Sequence, residues 1–230
     1  MSAIRTITFE TGPPGSSIVV VELDELKLTT SSKEFEEYEL FLFNEIRKDT
    51  KLEYLTKDPL IRSYRVWHWT YGMDPTKTRG SSEAVLRRVL QGENLWRISN
   101  LVDIVNLASA YHKIPISLID VSKIEGELTL RRATQGELFT RIGGETITCR
   151  GREIVLADDI GIICYGYAIY DSERTKVTRS SREVLLLHYG TITATQEIMN
   201  NAVSITTDMI ERFVDCKISE PIRYVSPAPI

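Results

Sequence analysis

Asp103 and Asn106 are polar residues in an otherwise apolar stretch, and their types and spacing could do chemistry. They are three residues apart on a predicted helix, so their side chains share one face. A buried polar group that lacks a partner costs about 1–3 kcal/mol. Each residue is therefore either a structural anchor for nearby backbone or part of a pocket. The spacing alone favours the anchor, more strongly for Asp103 than for Asn106.

A second polar stretch covers residues 171–176, reads DSERTK, and lies between two apolar strands. A carboxylate beside cations and hydroxyls can orient a water molecule or bind an ammonium group. A solvated hairpin explains the same residues, and composition alone favours it. Six basic residues could contact phosphate groups if they converge in space: Lys77, Arg79, Arg87, Arg88, Arg131 and Arg132.

Other familiar kinds of site are not indicated. His68, His112 and His188 are far apart, which favours partly buried or surface roles over catalytic ones. The pair Gly143-Gly144 is not followed by the Lys-Ser/Thr of a phosphate-binding loop, so it is predicted to be a hairpin turn. The pair Asp158-Asp159 is likewise predicted to be a turn between strands.

The net charge, the apolar runs and the cysteine spacing exclude several classes of function. The net charge of −4 argues against a broad nucleic-acid-coating surface, although it leaves room for a local basic patch. The first residues lack the apolar region of a signal peptide, and no apolar run reaches the ~18 residues of a membrane span. Cys149, Cys164 and Cys216 show no metal-ligand or disulfide spacing. We therefore expect a cytoplasmic protein with no metal, cofactor, membrane or DNA partner.

The elements that must position the polar residues are helices first and strands later. Ser or Thr caps and apolar periodicity predict helices over 32–48, 59–71, 82–92, 99–111 and 193–214. β-branched and alternating residues predict strands over 16–23, 116–121, 127–132, 146–150, 153–157, 162–170 and 184–189. This order indicates an α+β class: one mixed domain over 1–230, with helices packed on a largely antiparallel sheet.

The C-terminal helix, predicted over 193–214, presents an apolar face that either closes the core or forms a homodimer. The residues predicted to face inward are Ile198, Ala202, Ile205, Met209, Ile210 and Phe213. The tail after Lys217 contains three prolines and is predicted to be loosely ordered.

Four segments, in order and with consistent spacing, resemble the tRNA-editing domain of the phenylalanyl-tRNA synthetase beta subunit, and more closely its freestanding relatives. They read DPTKTRGSSEAVLRRVL, ISNLVDIVNLASAYHKIPISLID, GELTLRRATQGELFTRIGG and EIVLADDIGIICYGYAIYDSERTKVT. The resemblance covers about residues 67–187. It implies hydrolysis of the ester that joins a wrong amino acid, typically tyrosine, to tRNA-Phe, because one binding pocket discriminates poorly between similar side chains.

The resemblance also implies a site. The family's VD-x-x-N stretch places Asn106 in the pocket, and Val105 stands where the synthetase often has threonine. In the synthetase pattern Q-P-L-H-A-F-D a histidine lines the pocket, and here Ser117 takes its place. The loss of that histidine is shared with the freestanding relatives and leaves no obvious general base.

Further along the chain, the family's glycine pair at the far wall of the pocket falls on about Asp171 and Ser172, and its editing-site glutamate on Glu173. Glu173 and Asn106 would position the hydrolytic water. Glu173 would then need Arg174 or Lys176 nearby to remain ionised.

The leading hypothesis is therefore a freestanding deacylase that acts in trans on a mischarged tRNA. It predicts a catalytic pair (Glu173, Asn106), a substrate pocket (Val105, Ser117, Asp171, Ser172) and tRNA contacts at its mouth (Lys77, Arg79, Arg131). Two alternatives remain open: a non-catalytic module of the same fold that binds an amino acid or an RNA end, and a hydrolase of a small ester or amide.

Overall fold

The computed structural model describes residues 6–226. It contains the helices α1 (Lys33–Asp49), α2 (Pro59–Thr70), α3 (Ser81–Leu90), α4 (Asn100–His112) and α5 (Gln196–Phe213). Its strands are β1 (Ile7–Phe9), β2 (Ser17–Lys27), β3 (Ile116–Asp120), β4 (Leu128–Arg132), β5 (Gln135–Thr140), β6 (Thr146–Arg150), β7 (Ile154–Ala157), β8 (Ile162–Tyr165), β9 (Tyr170–Asp171), β10 (Val184–Gly190), β11 (Asp215–Ile218) and β12 (Ile222–Val225). Two short 3₁₀ turns cover Leu52–Lys57 and Val121–Lys123.

Side-chain caps explain where several helices begin. The Ser32 hydroxyl accepts a hydrogen bond from the Phe35 N–H (3.1 Å) at the start of α1, and Ser99 does the same for α4. The prediction of a serine cap for the helix over 82–92 was wrong. Gly80 precedes α3 and provides no side-chain cap, and Ser81 is the first residue of the helix.

The strands form two sheets and a hairpin. The first sheet has the order β1-β4-β7-β8-β9, and the second has the order β11-β2-β10-β3 with β12 also paired to β2. β5 and β6 form the hairpin, whose turn is Gly143-Gly144 as predicted. Every pair is antiparallel except β1 with β4. The predicted α+β class with largely antiparallel sheets is therefore confirmed.

The second sheet is buried on both faces. Ile116 and Leu118 of β3 pack into one apolar cluster with the helices, whereas Ile119 packs into another cluster with the first sheet. This alternation follows from the two-residue period of a strand. The helical layer and the first sheet consequently lie on opposite sides of the second sheet.

Three details of the secondary-structure prediction need correction. β5 was not predicted, because its exposed, polar start has no clear strand pattern. The tail was expected to be loosely ordered, but β12 pairs along β2; residues 227–230 lie outside the described part. Ile198 is 39% exposed rather than inward-facing, because α5 is rotated so that Met199 and Val203 are buried.

Two of the three histidines, His68 and His188, are buried, and His112 is half-buried. The Thr206 hydroxyl donates to the Ala202 carbonyl (2.8 Å) and lies 3.1 Å from His112 Nε2 and 3.0 Å from His188 Nε2. Because that hydroxyl proton is already used, both rings are assigned as donors to the Thr206 oxygen. Burial lowers the pKa of His188 to about 3 and that of His68 to about 4, and it also lowers the pKa of His112.

The lowered pKa values of these histidines predict that the protein loses stability in acid. Their pKa values are depressed in the folded state, so the unfolded chain gains protons first, and stability falls as the pH drops below about 6.5. Between pH 7 and pH 5.5, each histidine should reduce the free energy of unfolding by about 1 kcal/mol. Urea titrations of wild type, His188→Asn and His112→Gln at both pH values check this. The prediction is contradicted if both variants lose as much free energy of unfolding between the two pH values as the wild type does.

Candidate functional site

A buried polar cluster lies between the two sheets and brings together two residues that the sequence singled out. Ser117 projects from β3 toward the first sheet, where its Oγ lies 3.5 Å from Cys164 Sγ on β8. Asp171 on β9 pairs in register with Cys164. Tyr189 lies near the C-terminal end of β10 and completes the cluster, because it interacts electrostatically with Cys164, Asp171 and Ser117.

The polar atoms of this cluster are not all satisfied. Asp171 Oδ1 and the Tyr189 hydroxyl are buried and have no partner with full hydrogen-bond geometry among residues 6–226, although the Ser117 hydroxyl and the Cys164 thiol interact with both groups. Such atoms are rare in native structures, because each costs about 1–3 kcal/mol when it lacks a partner. A polar ligand or a water molecule that reached these two atoms would remove that cost.

Burial also sets the protonation of the cluster. It raises the pKa of Asp171 to about 6, although the Ser117 hydroxyl and the Leu118 N–H act in the opposite direction. Burial likewise raises the pKa of Tyr189 well above its ordinary value, so the phenol stays neutral. Near pH 7 the cluster thus holds a mostly ionised carboxylate that accepts beside a neutral hydroxyl that can donate.

A tight loop between β8 and β9 places Asp171 in the cluster. Residues 162–170 were predicted to be one strand, which is wrong: the chain reverses at Gly166, and Tyr167 and Ala168 have φ values of 56° and 65°. The left-handed region of φ/ψ space is unfavourable for both residues, so tertiary contacts must hold the loop in this conformation. The Tyr167 hydroxyl provides them by donating to the carbonyls of Ser17 (3.0 Å) and Gly190 (3.1 Å) in the second sheet.

Glu173 lies outside this cluster. Its carboxylate accepts a hydrogen bond from the Gly143 N–H (3.0 Å) in the β5–β6 turn and pairs with Lys176. The Lys176 contact is the main cause that lowers the pKa of Glu173, and the Gly143 N–H acts in the same direction. Ser172 is buried, but its Oγ accepts from the Arg174 N–H (3.1 Å) in the local turn.

Asn106 and Val105 lie on the other side of the second sheet. Val105 packs in the apolar cluster of the helical layer, and Asn106 is half-buried on α4. The expected pocket uniting Asn106, Ser117 and Glu173 is therefore not formed, because the sheet separates α4 from the inter-sheet cluster.

Asp103 is the structural anchor that its spacing favoured. Its Oδ1 accepts from the Ile98 N–H (2.8 Å) and the Ser99 N–H (3.3 Å), and the Ser31 hydroxyl donates to Oδ2 (2.7 Å). The carboxylate thereby fixes the segment that leads into α4.

The three predicted tRNA contacts do not converge. Lys77 and Arg79 are exposed on the loop after α2. Arg131 is instead held by Glu137 in a two-point ion pair, with its Nη2 2.7 Å from Oε1. Arg150, which was not considered from the sequence, lines the same groove as Lys77, and Arg152 lies against Gly72, which also lines it.

Cys164 and Tyr189 are the members of the cluster that sequence reasoning missed. Both lie in apolar strands, and nothing in the strand patterns separates them from core residues. Only the pairing of β8 with β9 and the packing of the two sheets bring them to Asp171. Within the described residues there is no group of three or more His, Cys, Asp or Glu side chains arranged to hold a metal ion. Across residues 6–226, no helix has the length and apolar character needed to cross a bilayer.

Comparison with known proteins relates this arrangement to one family. The B3/4 domain family matches residues 63–218, a wider range than the 67–187 predicted from the motifs. The phenylalanine–tRNA ligase beta subunit of Chromobacterium violaceum is 32% identical over 103 residues, which cover 45% of this chain and 13% of that protein. The beta subunit of Streptomyces avermitilis is 30% identical over 149 residues, covering 63% of this chain and 18% of that protein.

The chain spans less than a fifth of the length of these curated relatives. Among solved structures, an N-terminal fragment of the phenylalanyl-tRNA synthetase beta subunit from Pyrococcus horikoshii aligns with a TM-score of 0.44 and 14% identity. That alignment covers 95% of this chain and 54% of the fragment.

Proposed function

The chain belongs to the B3/4 domain family, and from that premise we propose that it is a freestanding aminoacyl-tRNA deacylase. It would hydrolyse, in trans and without a metal, the ester bond of a mischarged tRNA in the cytoplasm. The similarity to phenylalanine–tRNA ligase beta subunits supports the choice of an aminoacyl-tRNA as substrate.

The inter-sheet cluster is the observation that carries the proposal. Ester hydrolysis needs a base for the attacking water and a donor for the oxyanion that develops on the carbonyl. Asp171 has a pKa of about 6, which suits a base at neutral pH, and its Oδ1 has no partner with full hydrogen-bond geometry among the described residues. The Tyr189 hydroxyl supplies the donor.

The proposed reaction proceeds in two proton transfers. Asp171 takes a proton from the water as the water oxygen bonds to the ester carbonyl carbon, and Tyr189 donates a hydrogen bond to the oxyanion. When the bond to the ribose oxygen breaks, that oxygen takes the proton from Asp171, so the carboxylate is regenerated. Ser117 holds Asp171 in place throughout. Asp171 is also the partly exposed member of the cluster, whereas Ser117 and Tyr189 are buried.

Asp171 fits the role of base better than Glu173 does. The carboxylate of Glu173 is already occupied by the Gly143 N–H and Lys176, and the neighbouring cation lowers its pKa. A base with a low pKa removes protons less effectively at neutral pH. The roles predicted for Glu173 and Asn106 remain predictions that the same assay can test.

The deciding experiment measures release of labelled amino acid from a panel of mischarged tRNAs, beginning with Tyr-tRNA-Phe. We expect the wild type to release at least one amino acid well above the spontaneous rate, and Ser117→Ala to do so more slowly. Glu173→Ala and Asn106→Ala test the catalytic pair predicted from the sequence. No release across the panel, together with retained binding of the amino acid or the tRNA, would replace this proposal by a non-catalytic binding module.

A further inference from the structure

A groove of about 230 Å³ lies between the loop after α2 and strand β6, outside the first sheet. We call it the basic groove; its wall residues include Lys77, Thr78, Thr148, Arg150 and Tyr165. Lys77 and Arg150 are exposed, and neither has an ion-pair partner within residues 6–226. Both cations are therefore available to an anion.

Two more arginines border the groove. Arg152 lies along Gly72, since a Cβ built at that glycine would be only 3.2 Å from the arginine Cδ. Gly72 also has a φ of +73°, so the turn that admits Arg152 favours glycine. The Arg132 guanidinium lies 5.6 Å from the centre of the Tyr71 ring at the end of α2.

The carboxylates of the groove accept hydrogen bonds from neighbouring residues, and Asp74 also interacts electrostatically with Lys77. Glu153 accepts hydrogen bonds from the N–H groups of Arg150 (3.0 Å) and Arg152 (3.1 Å). Asp74 accepts from both the N–H and the hydroxyl of Thr76. Two cations and two carboxylates thus line the groove, and the two neighbouring arginines give the region a local positive surplus on a chain whose net charge is −4.

The groove adjoins the proposed catalytic cluster without being part of it. Tyr165 lines the groove, whereas its neighbour Cys164 lies in the cluster between the sheets. Successive residues of β8 point to opposite faces, so the groove and the cluster are separated by a single strand. β8 lies between β7 and the edge strand β9, which carries Asp171.

We propose that the basic groove binds backbone phosphates of RNA and so anchors the tRNA beside the cluster. The forked guanidinium of arginine and the ammonium of lysine both suit phosphate oxygens. The identification of the RNA as a tRNA rests on the proposed function. The phosphate contacts themselves rest on the charges of the groove.

A pair of matched double variants tests this. Lys77→Gln/Arg150→Gln removes two groove cations, and Lys33→Gln/Arg179→Gln removes two exposed cations elsewhere. Binding of unacylated tRNA, labelled at its 5′ end, is measured by fluorescence anisotropy over a series of salt concentrations. We expect the groove variant to bind about tenfold more weakly, with a log–log salt slope shallower by about 1.4 for two single-strand contacts. The control should change affinity less than about twofold, since its cations make no phosphate contact.

Equal affinities and slopes in the two variants would overturn the inference, as would absence of tRNA binding by the wild type. The readout does not require hydrolysis. A wild type that fails to hydrolyse any ester while the groove variant still loses affinity would remove the proposed deacylase and leave the groove as an RNA site.

Discussion

Replacing Asp171 by asparagine is expected to slow ester hydrolysis at pH 7 about a hundredfold or more, the range typical for loss of a positioned base. The wild-type rate should rise with pH through about 6, where Asp171 loses its proton. The variant should lack this rise, because asparagine does not titrate. Initial rates from pH 5 to pH 8 on the most responsive mischarged tRNA give both quantities.

The same substitution should stabilise the protein at neutral pH, which separates loss of function from misfolding. The pKa of Asp171 is raised in the folded state, so its contribution to stability is present below about pH 4 and is lost as the pH rises through about 6. Above that pH the ionised carboxylate costs on the order of 2–3 kcal/mol relative to its neutral form. Asp171→Asn should therefore raise the free energy of unfolding at pH 7 by part of this amount, as measured by urea titration.

Glu173→Gln is the matched control, since it changes a carboxylate two residues away that lies outside the cluster. The opposite result is that Glu173→Gln abolishes the rise in hydrolysis rate near pH 6 and Asp171→Asn preserves it. In that case the catalytic base is Glu173, as predicted from the sequence, and not Asp171.

Asp103→Ala should destabilise the fold by about 2–4 kcal/mol, because it leaves the Ile98 and Ser99 N–H groups and the Ser31 hydroxyl without their acceptor. Asn106→Ala, one helical turn away on the same face, should change stability by no more than about 0.5 kcal/mol. Denaturant midpoints of the two variants make the comparison, and Asp103→Asn, which keeps one acceptor oxygen, should fall between them. Similar losses for Asp103→Ala and Asn106→Ala would show that the anchor is not specific to Asp103.

Much of the fold was accessible from the sequence because its signals are local. The serine caps at Ser32 and Ser99, the Pro59 start of α2 and the hairpin at Gly143-Gly144 are each set by chemistry within a few residues. The elements that were missed depend on distant partners. β12, for example, is defined only by its pairing with β2, some 200 residues away.

The candidate site was accessible only in part. Ser117 and Asp171 were named from the resemblance, and both lie in the inter-sheet cluster. Asn106 lies instead on the helical side of the second sheet, and Glu173 lies at the β5–β6 turn. No local pattern shows that the chain reverses at Gly166, and that reversal decides which side chains reach the cluster. The protonation of Asp171 is likewise a consequence of burial, which depends on the assembled sheets.

The position of β2 also governs when the protein can finish folding during synthesis. β2 pairs with β10, β11 and β12, so a strand near the start of the chain has its partners only within residues 184–225. A ribosome-bound chain would therefore carry this long apolar strand unpaired until residues 184–225 have been made. Such non-local pairing slows folding and leaves strand edges open to aggregation. We expect nascent chains that end before Val184 to need a chaperone, whereas chains that include residues 184–225 can close the sheet.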